Sequence, residues 1–402
     1  MMTNHKSIPS KLATLFAVIF VVFMFLPALG YFFHFTAGTT LFGYVENQTT
    51  KPEAFLKGWF DKKLQLYLEE KINTNVGFKP LLIRLFNDLS FRLFAEQQRT
   101  NLYSTKEHGL YSEVSLTQLN REYLKRDTLA KVYDDFAIKL SQIQRLFAAK
   151  GKHFVVIISA SKPYVHLEGL SKRFLVSADN NFYDKMASLG KALKKHGVNV
   201  VDSAPILREF YQKKGIETHA NSGVHWNYYS GCITVQHLYN NLRESFANAP
   251  KVHCGKPKFE EPTAIDLDGF LFLNTYTKVN LLKATPYPSP SATIYDNYLP
   301  KMLIVGDSFM HQLITALDEA KSYSNIVISQ YFSTDIKHKP GEILQYITPP
   351  TSEGIEKGVL DAAVDSDVVI LEMVDYNIPR LGFGFAESFL KRLKETAPKV
   401  LT

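Results

Sequence analysis

The apolar pattern divides the chain before any chemistry is considered. Leu12 to Phe33 is apolar apart from Thr14 and carries Pro27, with Lys6 and Lys11 as its basic flank. At 1.5 Å per residue, about 22 residues span roughly 33 Å, close to a bilayer core. Two outcomes compete: a signal-anchor helix that stays, or a signal peptide cut after Ala28-Leu29-Gly30. The apolar run continues through Tyr31-Phe-Phe33 beyond that site, which favours the anchor. No other run is long enough to span, so everything after Phe35 is expected on the far side of the membrane, with the basic N-terminus in the cytoplasm.

Residues 53 to 98 read as two amphipathic helices, Glu53 to Lys71 and Lys79 to Ala95, separated by Asn73 to Gly77. Their stripes (Phe55, Trp59, Phe60, Leu64, Tyr67; Leu82, Leu85, Phe86, Leu89, Leu93) are packing surface. Glu107 to Tyr111 suggests a turn and strand, and Leu116 to Ala149 a long helical region. From there the pattern alternates. Strand-like runs occur at His153 to Ser159, Val198 to Asp202, Met302 to Val305, Ile326 to Tyr331 and Val368 to Glu372. Helical stretches separate them at Phe182 to His196, Ala204 to Lys213, Trp226 to Phe246, Ser308 to Lys321 and Ser352 to Val364. Apolar strands alternating with amphipathic helices predict an α/β fold with a mostly parallel sheet covered on both faces. A Pro- and aromatic-rich stretch at 255–300 reads as an insertion. The chain thus divides into a membrane segment (1–36), a helical N-terminal region (37–112) and an α/β domain (113–402).

Composition adds limits. With 46% hydrophobic residues among 402, the chain is globular. Its net charge of +7 is spread along the sequence without a dense basic block, which gives no support to nucleic-acid binding. Only Cys232 and Cys254 occur, outside any Cys/His cluster, so no structural zinc site is expected. Outside the cytoplasm the two are free to pair. Neither a G-x-x-x-x-G-K-[ST] nor a G-x-G-x-x-G loop follows a strand, and no cofactor is expected.

Chemistry concentrates at Lys301 to Gln312. A buried run feeds Gly306-Asp307-Ser308 and then a helix, which puts one hydroxyl at the carboxyl edge of a sheet and at a helix N-terminus, where N–H groups stabilise an oxyanion. In isolation, Asp307 or Ser308 reads equally well as an N-cap. A second stretch, Glu217 to Tyr229, delivers His225-Trp226-Asn227 where a loop runs into a helix. In a doubly wound sheet such loops converge on one edge. A serine hydroxyl is a poor nucleophile at its own pKa, and an imidazole that takes and returns its proton corrects this. Ser308 and His225 therefore form a candidate catalytic pair.

The order of a strand ending in a lysine loop (Val155 to Lys162), a strand ending in Asp202, a His-Trp loop and then strand-GDSF resembles the SGNH-hydrolase-like proteins of the alginate O-acetyltransferase family. Val45-Glu-Asn47, Pro52, Gly77, Phe78, Arg84 and Asn87 are similar to that family's N-terminal region. The resemblance implies an SGNH-like three-layer sandwich. It implies an O-acetyltransferase acting on an exported or cell-surface polysaccharide through an acyl-serine, anchored once in the bacterial inner membrane with its catalytic domain in the periplasm or outside the cell. It also implies a multi-pass membrane-bound O-acyltransferase partner that supplies the acetyl group. The family's motif is Asp-x-His-Trp, but Gly223 stands at the acid's position. Either the pair works as a dyad, or the site is degenerate, or an acid from elsewhere serves, for which Glu217, Glu372 and Asp375 are the candidates. Lys162 is expected to position a glycan or the histidine loop, Asp202 to cap the next helix, and Tyr331, Asn377 and Arg380 to line the cleft. The oxyanion hole begins with the Ser308 or Phe309 N–H, and Gly306, Asp307 and Trp226 complete the expected site. An acetylesterase with the same pair and a non-catalytic glycan-binding subunit are the competing readings.

Overall fold

The computed structural model of the chain describes residues 10–33, 41–43, 59–75, 77–94, 96–97, 101–105, 108–120, 126–167, 170, 184–276, 281–338 and 352–396. Residues 45–47 and 52, part of the N-terminal resemblance, lie outside them. The chain divides into two compact units, one of residues 1–97 with 271–278, the other of 98–270 with 279–402.

In the first unit the apolar segment forms one helix, Ser10–Phe32. Its continuously described side chains run from Lys11 to Phe25, and all of them are exposed. Among the described residues no helix is long and apolar enough to cross a membrane. Helices Lys63–Asn75 and Lys79–Phe94 follow. The second is seated by Asn87, whose amide donates to the Leu273 carbonyl (2.8 Å).

The second unit is built on a six-stranded sheet. Its strands are β1 (His153–Ser159), β2 (Val200–Asp202), β3 (Lys301–Gly306), β4 (Asn325–Gln330), β5 (Thr334–His338) and β6 (Val368–Val374). The order across the sheet is β5-β4-β3-β6-β1-β2. All neighbours are parallel except β5, which runs antiparallel to β4. Five strands match the apolar runs of the sequence to within two residues at each end; β5 had no such run, for Thr334-Asp-Ile-Lys-His338 is polar in four of its five positions.

Every residue of β6 and all of β1 after His153 are buried, which requires cover on both faces. Helices Arg126–Ala148, Lys185–Lys195 and Phe385–Thr396 form one packed group. Helices Ser203–Lys214, Tyr228–Arg243 and Met310–Glu319 form the other. Each Val, Ile or Leu fully buried in these strands contributes about 1.5–3 kcal/mol. The long helical region after Leu116 is two helices, Glu113–Asn120 and Arg126–Ala148.

The insertion holds helix Asp268–Leu273 and a short antiparallel pair, Lys258–Glu260 with Thr285–Tyr287, and its strand Ser291–Thr293 pairs antiparallel with Lys251–His253 just before it. Cys232, on helix Tyr228–Arg243, is disulfide-bonded to Cys254, at the head of the insertion.

Candidate active site

Parallel strands bring their carboxyl ends to one edge, and here that edge collects the ends of β3, β6 and β1. Strand β3 closes at Gly306, and Asp307 and Ser308 occupy the turn; the helix begins at Met310, two residues later than the sequence suggests. The turn is held from below by buried carboxyl groups. Asp307 accepts from the backbone N–H of Phe309 (3.0 Å), the N–H of Val374 (2.9 Å) and the side-chain amide of Asn377 (2.9 Å). Glu372 in turn accepts from the Asp307 N–H (2.9 Å) and bonds the Ser159 hydroxyl. A Cβ at Gly306 would lie 2.6 Å from Glu372 Oε2, so only glycine lets the turn sit this low on β6.

Two carboxyl groups this close and this buried cannot both ionise at their ordinary values. Burial, then the charge of Asp307, pushes Glu372 well up. Burial also raises Asp307, but the Asn377, Val374 and Phe309 bonds oppose it. Both carboxyl groups therefore hold a proton more tightly than in water, Glu372 with burial and the neighbouring carboxylate acting together.

The histidine loop is fixed by backbone and side-chain bonds that its own sequence supplies. Asn227 caps helix Tyr228–Arg243 by accepting from Ser230 N–H (2.9 Å), and its own N–H donates to the Thr218 carbonyl (2.9 Å). The buried Trp226 indole donates to the Phe309 carbonyl (2.9 Å), which ties the loop to the serine turn. Lys162, 1% exposed, sits in a cage of backbone carbonyls: Leu110 (2.6 Å), Ala220 (2.7 Å), Gly223 (2.8 Å) and His108 (3.1 Å). Burial lowers its ammonium to about 7. Of the two roles expected for Lys162, loop positioning matches this geometry; a glycan cannot reach a lysine so enclosed.

On this scaffold three side chains form one line. Ser308 Oγ lies 2.7 Å from His225 Nε2, and His225 Nδ1 bonds Asp268 Oδ2. Asp268 Oδ1 also accepts from the Val224 N–H (3.1 Å). Burial works to raise the Asp268 carboxyl, but the bond and charge from His225, with the N–H groups of Val224 and Gly269, outweigh it and hold the group below the usual range. All three residues are partly exposed while the residues beneath them are buried, so the line opens to solvent.

Asp268 is the acid that local sequence spacing missed, and it corrects three expectations. Glu372 lies beneath the serine turn, bonded to Asp307 and Ser159. Asp375 accepts from the Ser161 N–H (2.8 Å), and burial pushes it up to about 6. Glu217 faces other histidines, 3.7 Å from His108 Nδ1 and 3.6 Å from His166 Nε2. Those two imidazoles stack at 4.2 Å and 24°, and one nitrogen of each lies within 3.7 Å of the same Glu217 oxygen, so the three side chains bring their polar atoms together away from Ser308. Gly223 leaves the room that Asp268 occupies: a Cβ there would lie 2.7 Å from Asp268 Oδ1.

The remaining expected residues divide. Asn377 binds Asp307, and the Phe309 N–H is engaged by Asp307, so neither amide is presented to a ligand. The Phe309 ring, 1% exposed, packs 4.7 Å from His225. Tyr331 is surface-exposed, with its N–H on the Gly306 carbonyl (2.8 Å) and Arg380 over its ring (5.7 Å). Asp202 caps helix Ser203–Lys214 through the Ala204 N–H (3.1 Å).

No family model and no curated protein matches the chain. Solved structures similar to it include the O-acetyltransferase domain of Pseudomonas putida AlgJ, at 13% identity over 72% of this chain and 99% of that one, with a TM-score of 0.43. Bacillus cereus PatB1 is similar at 12% identity over 64% of this chain and 93% of its own, with a TM-score of 0.38. Pseudomonas aeruginosa AlgX is similar at 14% identity over 73% of this chain and 70% of its own, also with a TM-score of 0.38.

Proposed function

We propose that the chain is an O-acetyltransferase that modifies an exported or cell-surface polysaccharide through an acyl-serine. The observation that carries the reading is the hydrogen-bonded line Ser308–His225–Asp268, open to solvent at the carboxyl edge of the sheet. His225 takes the Ser308 proton as the oxygen attacks the acetyl carbonyl of a donor, and returns it to the leaving group. A sugar hydroxyl, deprotonated by the same imidazole, then attacks the acyl-serine and regenerates Ser308. Asp268 keeps the Nδ1 proton in place and stabilises the imidazolium. With the Phe309 N–H engaged by Asp307, the Ser308 N–H and the N-terminus of helix Met310–Glu319 are the turn's means of stabilising the oxyanion.

In this reading the apolar run Leu12 to Phe33, by its sequence, anchors the protein in the bacterial inner membrane, the catalytic unit works in the periplasm or outside the cell, and a multi-pass acyltransferase supplies acetyl groups through the membrane. The non-catalytic alternative draws on the absent acid at Gly223 and on the aromatic content, 29 Phe and 21 Tyr; Asp268 weighs against the first ground. The test is mass spectrometry of the Ser308 peptide after treating the full chain with an acetyl donor. Added mass of one acetyl group on Ser308, lost in Ser308→Ala together with polysaccharide acetylation, is the expected result. A serine that stays unmodified sinks the proposal. Ester cleavage that never becomes transfer to an added oligosaccharide assigns the site to an esterase.

A further inference from the structure

Helix Lys79–Phe94 wears its apolar face outward. Its buried positions are Asn87 and Phe91. Leu85, Phe86, Leu89 and Leu93 fall within one continuous stripe about 100° wide at 3.6 residues per turn. They are 51%, 61%, 59% and 64% exposed. A stripe of this kind needs an occupant, and the surroundings within the same compact unit indicate which. The Gly77-Phe78 lead-in to the helix packs on the last turn of helix Ser10–Phe32: a Cβ on Gly30 would lie 2.7 Å from Gly77 Cα and 2.8 Å from the Phe78 ring. The outward apolar helix therefore starts where the long apolar helix ends. That neighbour is itself exposed at Leu12, Leu15, Phe16, Ile19, Phe20 and Phe23. Trp59 and Phe60, 49% and 81% exposed in the same unit, are of the type that settles at lipid headgroups. Arg92 flanks the stripe with a charge complementary to anionic lipid.

We propose that helix Lys79–Phe94 lies in the membrane–water interface, with the Leu85, Phe86, Leu89 and Leu93 stripe set among lipid acyl chains beside the end of helix Ser10–Phe32. The proposal rests on the anchor reading above, and the experiment separates the two. Full-length Leu89→Trp and Phe20→Trp variants are prepared in a Trp59→Phe background, where Trp226 is buried and serves as the baseline. Both are reconstituted into phosphatidylethanolamine–phosphatidylglycerol vesicles brominated at shallow or deep acyl positions. The expected result is quenching of the Leu89→Trp signal by about two-fold, stronger with shallow bromine, and of the Phe20→Trp signal with deep bromine. Quenching at position 20 without quenching at 89 overturns the interfacial helix, leaves the anchor standing and assigns the stripe to a protein partner. No quenching at either position removes the anchor and the proposal with it. Quenching at 89 alone upholds the interfacial helix and removes only the anchor.

Discussion

The carboxylate on His225 comes from 43 residues downstream, and Gly223 is why it fits. A Cβ at Gly223 would press on Asp268 Oδ1 at 2.7 Å and on the Asp266 carbonyl at 2.9 Å. Two substitutions test this residue pair. Asp268→Asn is expected to lower kcat on an acetyl ester by about 10⁴ with little change in KM, because an amide does not hold the imidazole tautomer that an ionised carboxylate does. Gly223→Ala is expected to lower kcat in the same direction with Asp268 still present, by displacing its carboxyl group. Steady-state kinetics of both variants decide the point; full activity in Asp268→Asn would show that His225 needs no acid. Ser308 and His225 were legible because each sits in a local signature, a strand-to-turn Gly-Asp-Ser and a His-Trp-Asn whose asparagine caps a helix. Asp268 carries no such mark, since its partner is fixed by the path of an irregular insertion.

The strands were legible as elements because burial on both faces writes them as unbroken apolar runs. What the runs do not disclose is the direction of the polar residue at the end of one. Glu372 ends an apolar run and reads as a cleft residue, yet its side chain points under the serine turn, to Ser159 and the Asp307 N–H. Its carboxyl, held far above the ordinary 4.5 by burial and then by Asp307, keeps a proton in the fold that the unfolded chain releases. The stabilising contribution of Glu372 is therefore present below about pH 4.5 and is lost as pH rises toward the folded value. Glu372→Gln mimics the neutral acid. Its melting temperature relative to the unsubstituted protein is expected to climb as pH rises above 4.5. A difference that stays flat over that range would mean that the carboxyl is ionised in the fold.

For the whole molecule, the sequence disclosed alternation and a mostly parallel sheet, but not the strand order, which depends on crossovers that no local pattern records. The cysteines illustrate the limit: that they were free to pair followed from number and compartment, while what the bond joins did not. It ties the helix that follows His225 to the head of the segment bearing Asp268. At a sequence separation of 22, chain-entropy arguments put its contribution at about 3 kcal/mol. Cys232→Ser with Cys254→Ser is expected to lose about that much unfolding free energy in denaturant titrations. Reductant is expected to bring the unsubstituted protein to the same value, and a reductant-insensitive midpoint would deny the bond a role in stability. The triad's wide spacing along the chain also bears on time. Its serine–histidine bond closes over 83 residues and its histidine–aspartate bond over 43, and contacts of such separation form after local helices and turns have lowered the cost of closing them. Nucleophilic reactivity at Ser308 is thus a late event in folding, reached only once both loops have come home to the sheet edge.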